Sequence, residues 1–348
     1  MSQSKHIFCN KVAVVVLGYN SLGYLKKFLP TILKTKYNDY TLVYVDNGSD
    51  DSSVTYVTKH FPEVEIFQIL VNKGFANGYK ESLSYIKAEY YVLINSDVAV
   101  KDDWLGIMIE QIETDSEIGV CQPKMLHEPK PDLFDYAGGS GGYIDVFCYP
   151  FCRGRIFHNI ESDQNQYDDV CEIFWASGAC MLIRSELYHK VGGLDEIFYA
   201  HMEEIDLCWR VKNAGFKIIS VPSSIVYHVG GSVISYGSFS KIFHNYRNSL
   251  IMMTKNLSAL QLIILLPIRI FLDQVAAFRA LLKLNFIEFK AIITADLKFI
   301  FGFNKWIKRR KHARKHISTP NLKGWYKKSI VIEFFLRKRT EFSKLDFK

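Results

Sequence analysis

The chain has 348 residues, of which 49% are hydrophobic and 23% charged. That apolar content supports a sizeable core and excludes a disordered or low-complexity protein, and the length suits one large domain or about two of ordinary size. The net charge of +7 conceals two unlike regions: from Lys241 onward 23 Lys and Arg stand against 6 Asp and Glu, a net of +17, whereas the first 240 residues carry 20 against 30, a net of −10. Basic density peaks in KWIKRRKHARK, residues 305–315. Such a split predicts two regions with different partners. Seven cysteines without a framework spacing point to a reducing compartment, and the polar residues 1–10 do not resemble a secretory signal. Cys148 and Cys152 lie four apart, but no second Cys or His pair joins them, so they read as buried or loose thiols rather than a zinc site.

The first half alternates strand and helix. VAVVVLG (12–18) is an apolar, β-branched run, as in a strand covered on both faces. LGYLKKFLPTILKT follows as a helix, TLVYVDNGSD as a strand ending in a turn, SVTYVTKHF as a helix, VEIFQIL as a strand, ANGYKESLSYIKA as a helix and YYVLINSD as a fourth strand. This order predicts an α/β fold with a mostly parallel sheet flanked by helices. Each strand ends in polar, turn-forming residues, and ligands of open α/β sheets bind at those ends. YAGGSGGYIDVF is too rich in glycine for a regular helix. IFWASGACMLIR reads as a strand pair or strand-turn, residues 202–214 as a helix stopped by Gly215, and KIISVPSSIVYHVGGS as a strand, a turn and a second strand with a glycine turn after His228. In the last hundred residues an apolar run from Leu257 to Ile268 is broken by Gln261 and Pro267. Twelve residues fall short of the roughly 20 that span a bilayer. The segment is therefore either a helix lying along a membrane surface or a buried helix capping the domain.

Several positions on the polar rim admit both a chemical and a structural role. Asp97, in NSD, suits an oxygen ligand of Mg²⁺ or Mn²⁺ shared with a substrate diphosphate, and equally a turn aspartate. Asp46, in VDNGSDD, suits an acceptor for the imide N–H of a uracil or thymine ring, and equally a turn. NKGFANG presents backbone N–H groups at a helix start, where an anion can bind. HMEEID sets Glu203, Glu204 and Asp206 in the first turn of a helix, either as ordinary dipole placement or as a general base. His228 lies in an apolar strand context. No Gly-x-Gly-x-x-Gly follows the first strand and no P-loop is present, which disfavours dinucleotide and P-loop chemistry.

The order of these elements is more specific than any one of them. GYN, VDNGSDD, NKGFANG, NSD, ASGACMLIR, GGLDEIFYAHMEEIDLCWR and VYHVGGS, from about Val12 to Ser232, resemble the family 2 glycosyltransferases of GT-A fold, and their rhamnosyltransferase-like branch in particular. RNSLIMMTKN (247–256) is similar to the segment that follows the catalytic domain there. The resemblance implies a GT-A catalytic domain over residues 1–240, donor-binding to about residue 125 and acceptor-binding beyond, then a helical basic extension over 241–348. It implies that Asp46 recognises the nucleotide base with Tyr19 and Asn20 lining its pocket, that Asn72 and Gly74 border the donor, and that Gly178 packs the chain against the donor sugar. Asn95-Ser96-Asp97 matches the family's Asp-x-Asp metal motif with Asn95 in the first place, so Asp97 is the main carboxylate for Mg²⁺ or Mn²⁺ and His228 a further ligand. EEID matches the Glu-Asp-x-Asp motif, placing Glu203 at its Glu and Glu204 at its base; Lys80 stands where many relatives carry Asn.

The implied activity is inverting, metal-dependent transfer of a sugar from a dTDP- or UDP-linked donor to a glycan acceptor, lipid-linked, in cell-surface polysaccharide synthesis. The basic extension suits an anionic membrane surface, which implies a cytoplasmic protein peripheral on the inner face of the cell membrane. Nucleic acid would meet the same charge, but no reading motif is present and no such partner is expected. Two alternatives are a non-catalytic glycan- or membrane-binding adaptor of the same fold and a Rossmann-type nucleotide-cofactor enzyme.

Overall fold

A computed structural model describes residues 6–230 and 237–347. The last two residues of the glycosyltransferase-like series, 231 and 232, lie outside them, as do the first five residues of the polar N-terminus. The principal strands are β1 (Val12–Gly18), β2 (Tyr40–Asn47), β3 (Glu65–Ile69), β4 (Tyr90–Asn95), β5 (Val98–Val100), β6 (Ile118–His127), β7 (Gly142–Asp145), β8 (Cys180–Arg184), β9 (Lys217–His228) and β10 (Trp325–Tyr326). The principal helices are α1 (Leu22–Leu33), α2 (Ser53–His60), α3 (Phe75–Leu83), α4 (Trp104–Glu113), α5 (Glu203–Asn213), α6 (Phe239–Asn256), α7 (Ala259–Leu282), α8 (Phe286–Phe301) and α9 (Phe303–Ala313).

The main sheet runs β9-β6-β8-β4-β1-β2-β3, with a short edge pair at Cys171–Glu172 beside β9. β1 pairs in parallel with β2 and β4, and β2 with β3. β8 is antiparallel to both β4 and β6, and β6 is parallel to β9. The predicted mostly parallel sheet is thus present, with β8 as its antiparallel insert. Every residue of β1 is buried, and alternate residues feed two cores: Val15 and Leu17 join the layer that holds Tyr79 and Trp209, while Val14 and Val16 join the layer that holds Leu29 and Trp104. A continuous apolar strand is what burial on both faces requires.

Two local expectations change. KIISVPSSIVYH forms one strand, β9, with a register shift between Val221 and Ile225, rather than two strands about a turn. Pro222 has no N–H for the ladder, and the Ser224 hydroxyl donates to the Trp104 carbonyl at 2.9 Å, so the chain bulges and resumes. The apolar run beginning at Leu257 does not end near Pro267: α7 continues through it for 24 residues. Arg269 and Asp273, one turn apart, are both buried and pair at 3.0 Å on the inward face, so the charges that break the hydropathy pattern do not break the helix. Among the described residues α7 is the one helix long and apolar enough to cross a membrane by length and composition.

The last hundred residues pack onto the rest of the protein. β10 pairs with β7, α6 contacts α5, and the basic cluster is partly spent inside the protein. Arg309 pairs with Asp195 at 3.1 Å and Glu196 at 2.9 Å. Arg310 and Arg314 donate to carbonyls of residues 254, 256 and 257 at the end of α6, where cations offset the helix dipole. Lys305, Lys308, Lys311 and Lys315 remain exposed.

Candidate active site

At the carboxyl edge of the sheet Gly18 pairs with Asp46, and Leu17 with Asn95. Asp46 near the end of β2, and Asn95 with the turn bearing Asp97 at the end of β4, therefore flank the end of β1, which lies between those strands. Asp46 is buried; its Oδ1 accepts from the Tyr44 hydroxyl at 3.2 Å and its Oδ2 from the Ser49 N–H at 3.2 Å. A carboxylate has about four lone-pair sites, so these bonds orient Asp46 without exhausting it. Asn20, at φ 48°, accepts from the Asp50 N–H at 2.8 Å, and Tyr19 beside it is exposed.

Asn72 points into its own loop. Its Oδ1 accepts from the Gly74 N–H at 2.9 Å and from Asn47 Nδ2 at 3.2 Å. Gly74 has φ +81°, and a Cβ there would lie 2.7 Å from the Tyr199 carbonyl oxygen, so both conformation and space require glycine. These two residues shape the turn that opens α3. Lys80 is engaged by Glu196 across the surface.

Asn95, Gly178, Glu203, Glu204 and His228 line one cavity of about 510 Å³. Asp97 does not itself line that cavity but joins it through His228, whose Nε2 is 3.4 Å from Asp97 Oδ1. The other imidazole nitrogen, Nδ1, is 3.2 Å from Asp135 Oδ2. Asp135 was not legible in the sequence, where LFDYAGG carries no recognised motif. It holds the ring so that Nε2 faces Asp97, the arrangement by which outer carboxylates orient metal-binding histidines. Burial favours the neutral imidazole, but the carboxylates of Asp135 and Asp97 outweigh it and raise the pKa to about 10. Among the described residues no three His, Cys, Asp or Glu side chains form a closed metal cage. The residues fit a cation held in part by substrate: Asp97 would offer one ligand and His228 a second once its imidazolium gives up the Nε2 proton, since only the neutral ring has a lone pair to share, and Mg²⁺-type ions take the rest from phosphate and water.

Glu203 and Glu204 open α5. The two residues before them, His201 and Met202, have left-handed φ of 68° and 74°. Strain of this kind collects where a side chain must be delivered to a fixed point. Asn248 on α6 holds the turn, donating to the Ala200 and His201 carbonyls at 2.9 and 2.8 Å. Gly178 is the wall opposite: a Cβ there would lie 3.5 Å from Glu204 Cβ and 3.3 Å from the Phe75 ring. The Oε2 atoms of both glutamates are buried and accept no hydrogen bond from the protein. Burial, and then the charge of Glu204, raise Glu203 well above the usual carboxylate range. Burial raises Glu204 to about 7, against N–H groups of the helix start that favour its charged form. Adjacent acids driven apart in this way suit separate roles, one neutral and one available as a base near neutrality.

The third acid of HMEEID faces the other way. Asp206 is fully buried and accepts from Arg210 at 2.9 Å, Lys255 at 2.7 Å and Asn256 at 2.8 Å. It ties α5 to α6. Lys255 also pairs with Asp195 at 2.7 Å, so LDEI, EEID and TKN form one clamp behind the glutamates.

A mostly parallel sheet with an antiparallel insert, a carboxylate–histidine pair at its carboxyl edge and paired acids across a cavity is the architecture of GT-A glycosyltransferases. The fold is similar to that of GalNAc-T7 with UDP, GalNAc and Mn²⁺ (TM-score 0.57, 15% identity, 71% of this chain and 48% of that one). It is also similar to the mannosyltransferase PcManGT of Pyrobaculum calidifontis with GDP-Man and Mn²⁺ (TM-score 0.52, 12% identity, 89% and 86%). Residues 13–192 match glycosyl transferase family 2, and the chain belongs to that family and is a glycosyltransferase. Relatives include the N-acetylglucosaminyl-diphospho-decaprenol L-rhamnosyltransferase of Mycobacterium tuberculosis H37Rv, 21% identical over 230 residues, which span 62% of this chain and 75% of that one. Rhamnosyltransferase WbbL of Escherichia coli K12 is 24% identical over 224 residues, 62% and 83% respectively.

Proposed function

We propose that the protein is an inverting transferase that moves a sugar from a dTDP- or UDP-linked donor to a lipid-linked glycan at the inner face of the cell membrane. The observation that carries this reading is the single cavity onto which Glu204, Gly178 and His228 open, with Asp97 3.4 Å behind His228. The nucleotide lies along the rim from Tyr19, Asn20 and Asp46 past the turn of Asn72 and Gly74, and the sugar meets Asn95 and Gly178. Asp97 and, as the neutral imidazole, His228 would hold the divalent ion, Mg²⁺ or Mn²⁺, and Asp135 keeps the His228 ring in register. When bound, such an ion offsets the charge that builds on the departing diphosphate. Glu204 accepts the proton of the acceptor hydroxyl as that oxygen attacks the anomeric carbon, while Glu203 stays protonated beside it. One displacement inverts the configuration.

Donor hydrolysis across a panel of nucleotide sugars tests the assignment; no turnover of any donor would exclude it. EDTA and Asp97→Ala should each abolish metal-dependent turnover. Asp135→Asn should raise the metal concentration needed for half-maximal rate by about 10–100-fold. Full activity in chelator would remove the ion from the scheme.

For the membrane, the supporting feature is the outer face of α7, which exposes Leu260, Ile263, Phe271, Val275, Phe278 and Leu282. Lys283 at the end of α7 is exposed, as are Lys290 and Lys298 on α8, which packs against α7. An apolar ridge flanked by cations suits insertion into the headgroup layer, each cation adding about 1 kcal/mol near anionic lipid. The protein should float with anionic vesicles at low salt, and Phe271→Glu with Phe278→Glu should leave it in the pellet fraction. Equal flotation of wild type and variant would exclude this face.

A further inference from the structure

We propose that Arg155 and Lys241 form an anion subsite in the acceptor end of the cavity, which takes the diphosphate of a lipid-linked acceptor. The inference rests on the transferase reading for its choice of ligand, but its evidence is separate. Both side chains line the cavity that contains Glu204. The Arg155 guanidinium lies 4.4 Å from the centroid of the Tyr136 ring, and Lys241 Nζ lies 5.8 Å from the same centroid. One aromatic ring thus carries two cations.

Arg155 is only 8% exposed. It donates to the Phe157 carbonyl at 3.2 Å and to Cys152 Sγ at 3.6 Å, neither of them anionic acceptors, and its Nε makes no hydrogen bond. A buried arginine is ordinarily satisfied by a carboxylate or phosphate, for which its planar fork is suited. The carboxylate of Asp135 is near but already engaged by His228 and by the Ala137 N–H at 2.7 Å. Lys241 occupies the first turn of the 18-residue α6, where its N–H donates to the Ser238 cap. A cation in the first turn opposes the helix dipole, so helix end, lysine and arginine add three positive contributions at one place. Burial, then the charge of Arg155, depress the Lys241 pKa. The Asp135 carboxylate offsets part of this repulsion, and an anion between the two cations would offset more.

Arg269 also lines the cavity, but Asp273 and Tyr149 already complete it. Its contribution is positional. α7 shows Arg269 to the cavity and its apolar ridge to the outside, and a helix is about 10–12 Å across. A diphosphate held at Arg155 and Lys241 therefore has an apolar surface within reach for the chain attached to it.

The test titrates the full-length protein with farnesyl diphosphate, farnesol, and UDP or dTDP with Mn²⁺, by calorimetry. Farnesyl diphosphate should bind more tightly than farnesol. Arg155→Gln and Lys241→Gln should each weaken farnesyl diphosphate by about tenfold or more, the loss of one charge-assisted contact, with nucleotide diphosphate affinity unchanged. Arg155→Lys should recover part of the loss. Lys241 is partly exposed on a helix, so its variant keeps the test valid if Arg155→Gln misfolds. Parallel weakening of the nucleotide diphosphate would assign the cations to the donor instead and overturn the proposal. So would equal affinity for farnesol, or farnesyl diphosphate binding that is absent or indifferent to both variants. A protein that binds farnesyl diphosphate through these residues but hydrolyses no nucleotide sugar keeps the subsite and loses the transferase reading.

Discussion

Replacing Glu204 by Gln is expected to lower turnover by about 10²–10⁴-fold, the range for loss of a general base, with donor affinity nearly unchanged. Gln preserves the shape beside Gly178 and removes only the proton-accepting charge. Retained turnover would transfer the role to Glu203, and Glu203→Gln in the same assay decides between them. The pH profile supplies an independent readout. A base must be ionised to act, and burial raises Glu204 to about 7, so kcat/KM should fall as pH drops below about 7 and level off above it. Stability should move the opposite way. A carboxyl whose pKa rises from 4.5 to about 7 on folding stabilises the fold fully below about 4.5 and loses that contribution as pH rises through about 7. Gln cannot ionise, so the inactive variant should melt higher than wild type above pH 7 and converge with it in acid. A melting temperature that is lower at every pH would mean the glutamate is structural.

Removing the third acid should do the reverse, costing stability first. Asp206→Ala leaves Lys255 and Arg210, both nearly fully buried, without the carboxylate they share. Breaking a buried pair from one side typically costs about 3–5 kcal/mol, a large share of a domain's net stability. The denaturant midpoint should fall accordingly. Lys255→Met should cost less, because the remaining Asp206 still accepts from Arg210 and Asn256. Where Asp206→Ala is still folded, it should lose activity as well, because Asp206 fixes the helix whose first turn carries Glu203 and Glu204. A variant as stable as wild type would show that the clamp is idle.

These two carboxylates lie two residues apart and look alike in HMEEID, yet one opens onto the cavity and the other is sealed behind it. The sequence reading grouped both in the helix's first turn, which the structure bears out, and assigned the second glutamate rather than Asp206 as the base by resemblance alone. What could not be read was Asp206's partners, because Lys255 and Asn256 are some fifty residues away on another helix. Asp135 and Arg155 were missed for the same reason: each is a single polar residue in a loop-rich stretch with no periodicity, and each acquires meaning only from what it meets. The length of α7 is not legible in the chain, where Gln261 and Pro267 interrupt the apolar run, whereas the folded helix continues through Pro267 and turns Arg269 and Asp273 inward as a pair.

Local order determined much of the protein. Runs of β-branched residues that must be buried on both faces, alternating with amphipathic helices, dictate a parallel α/β sheet, and polar turns at each strand end dictate a rim of chemistry; these depend on neighbours within a few positions and survive in the linear text. Tertiary structure alone decided which acids share a cavity, which histidine nitrogen faces Asp97, and which arginines of the basic tail are spent capping α6 rather than facing outward. Those outcomes depend on distances between residues far apart in sequence and on the desolvation each side chain suffers, and neither quantity exists until the chain has folded.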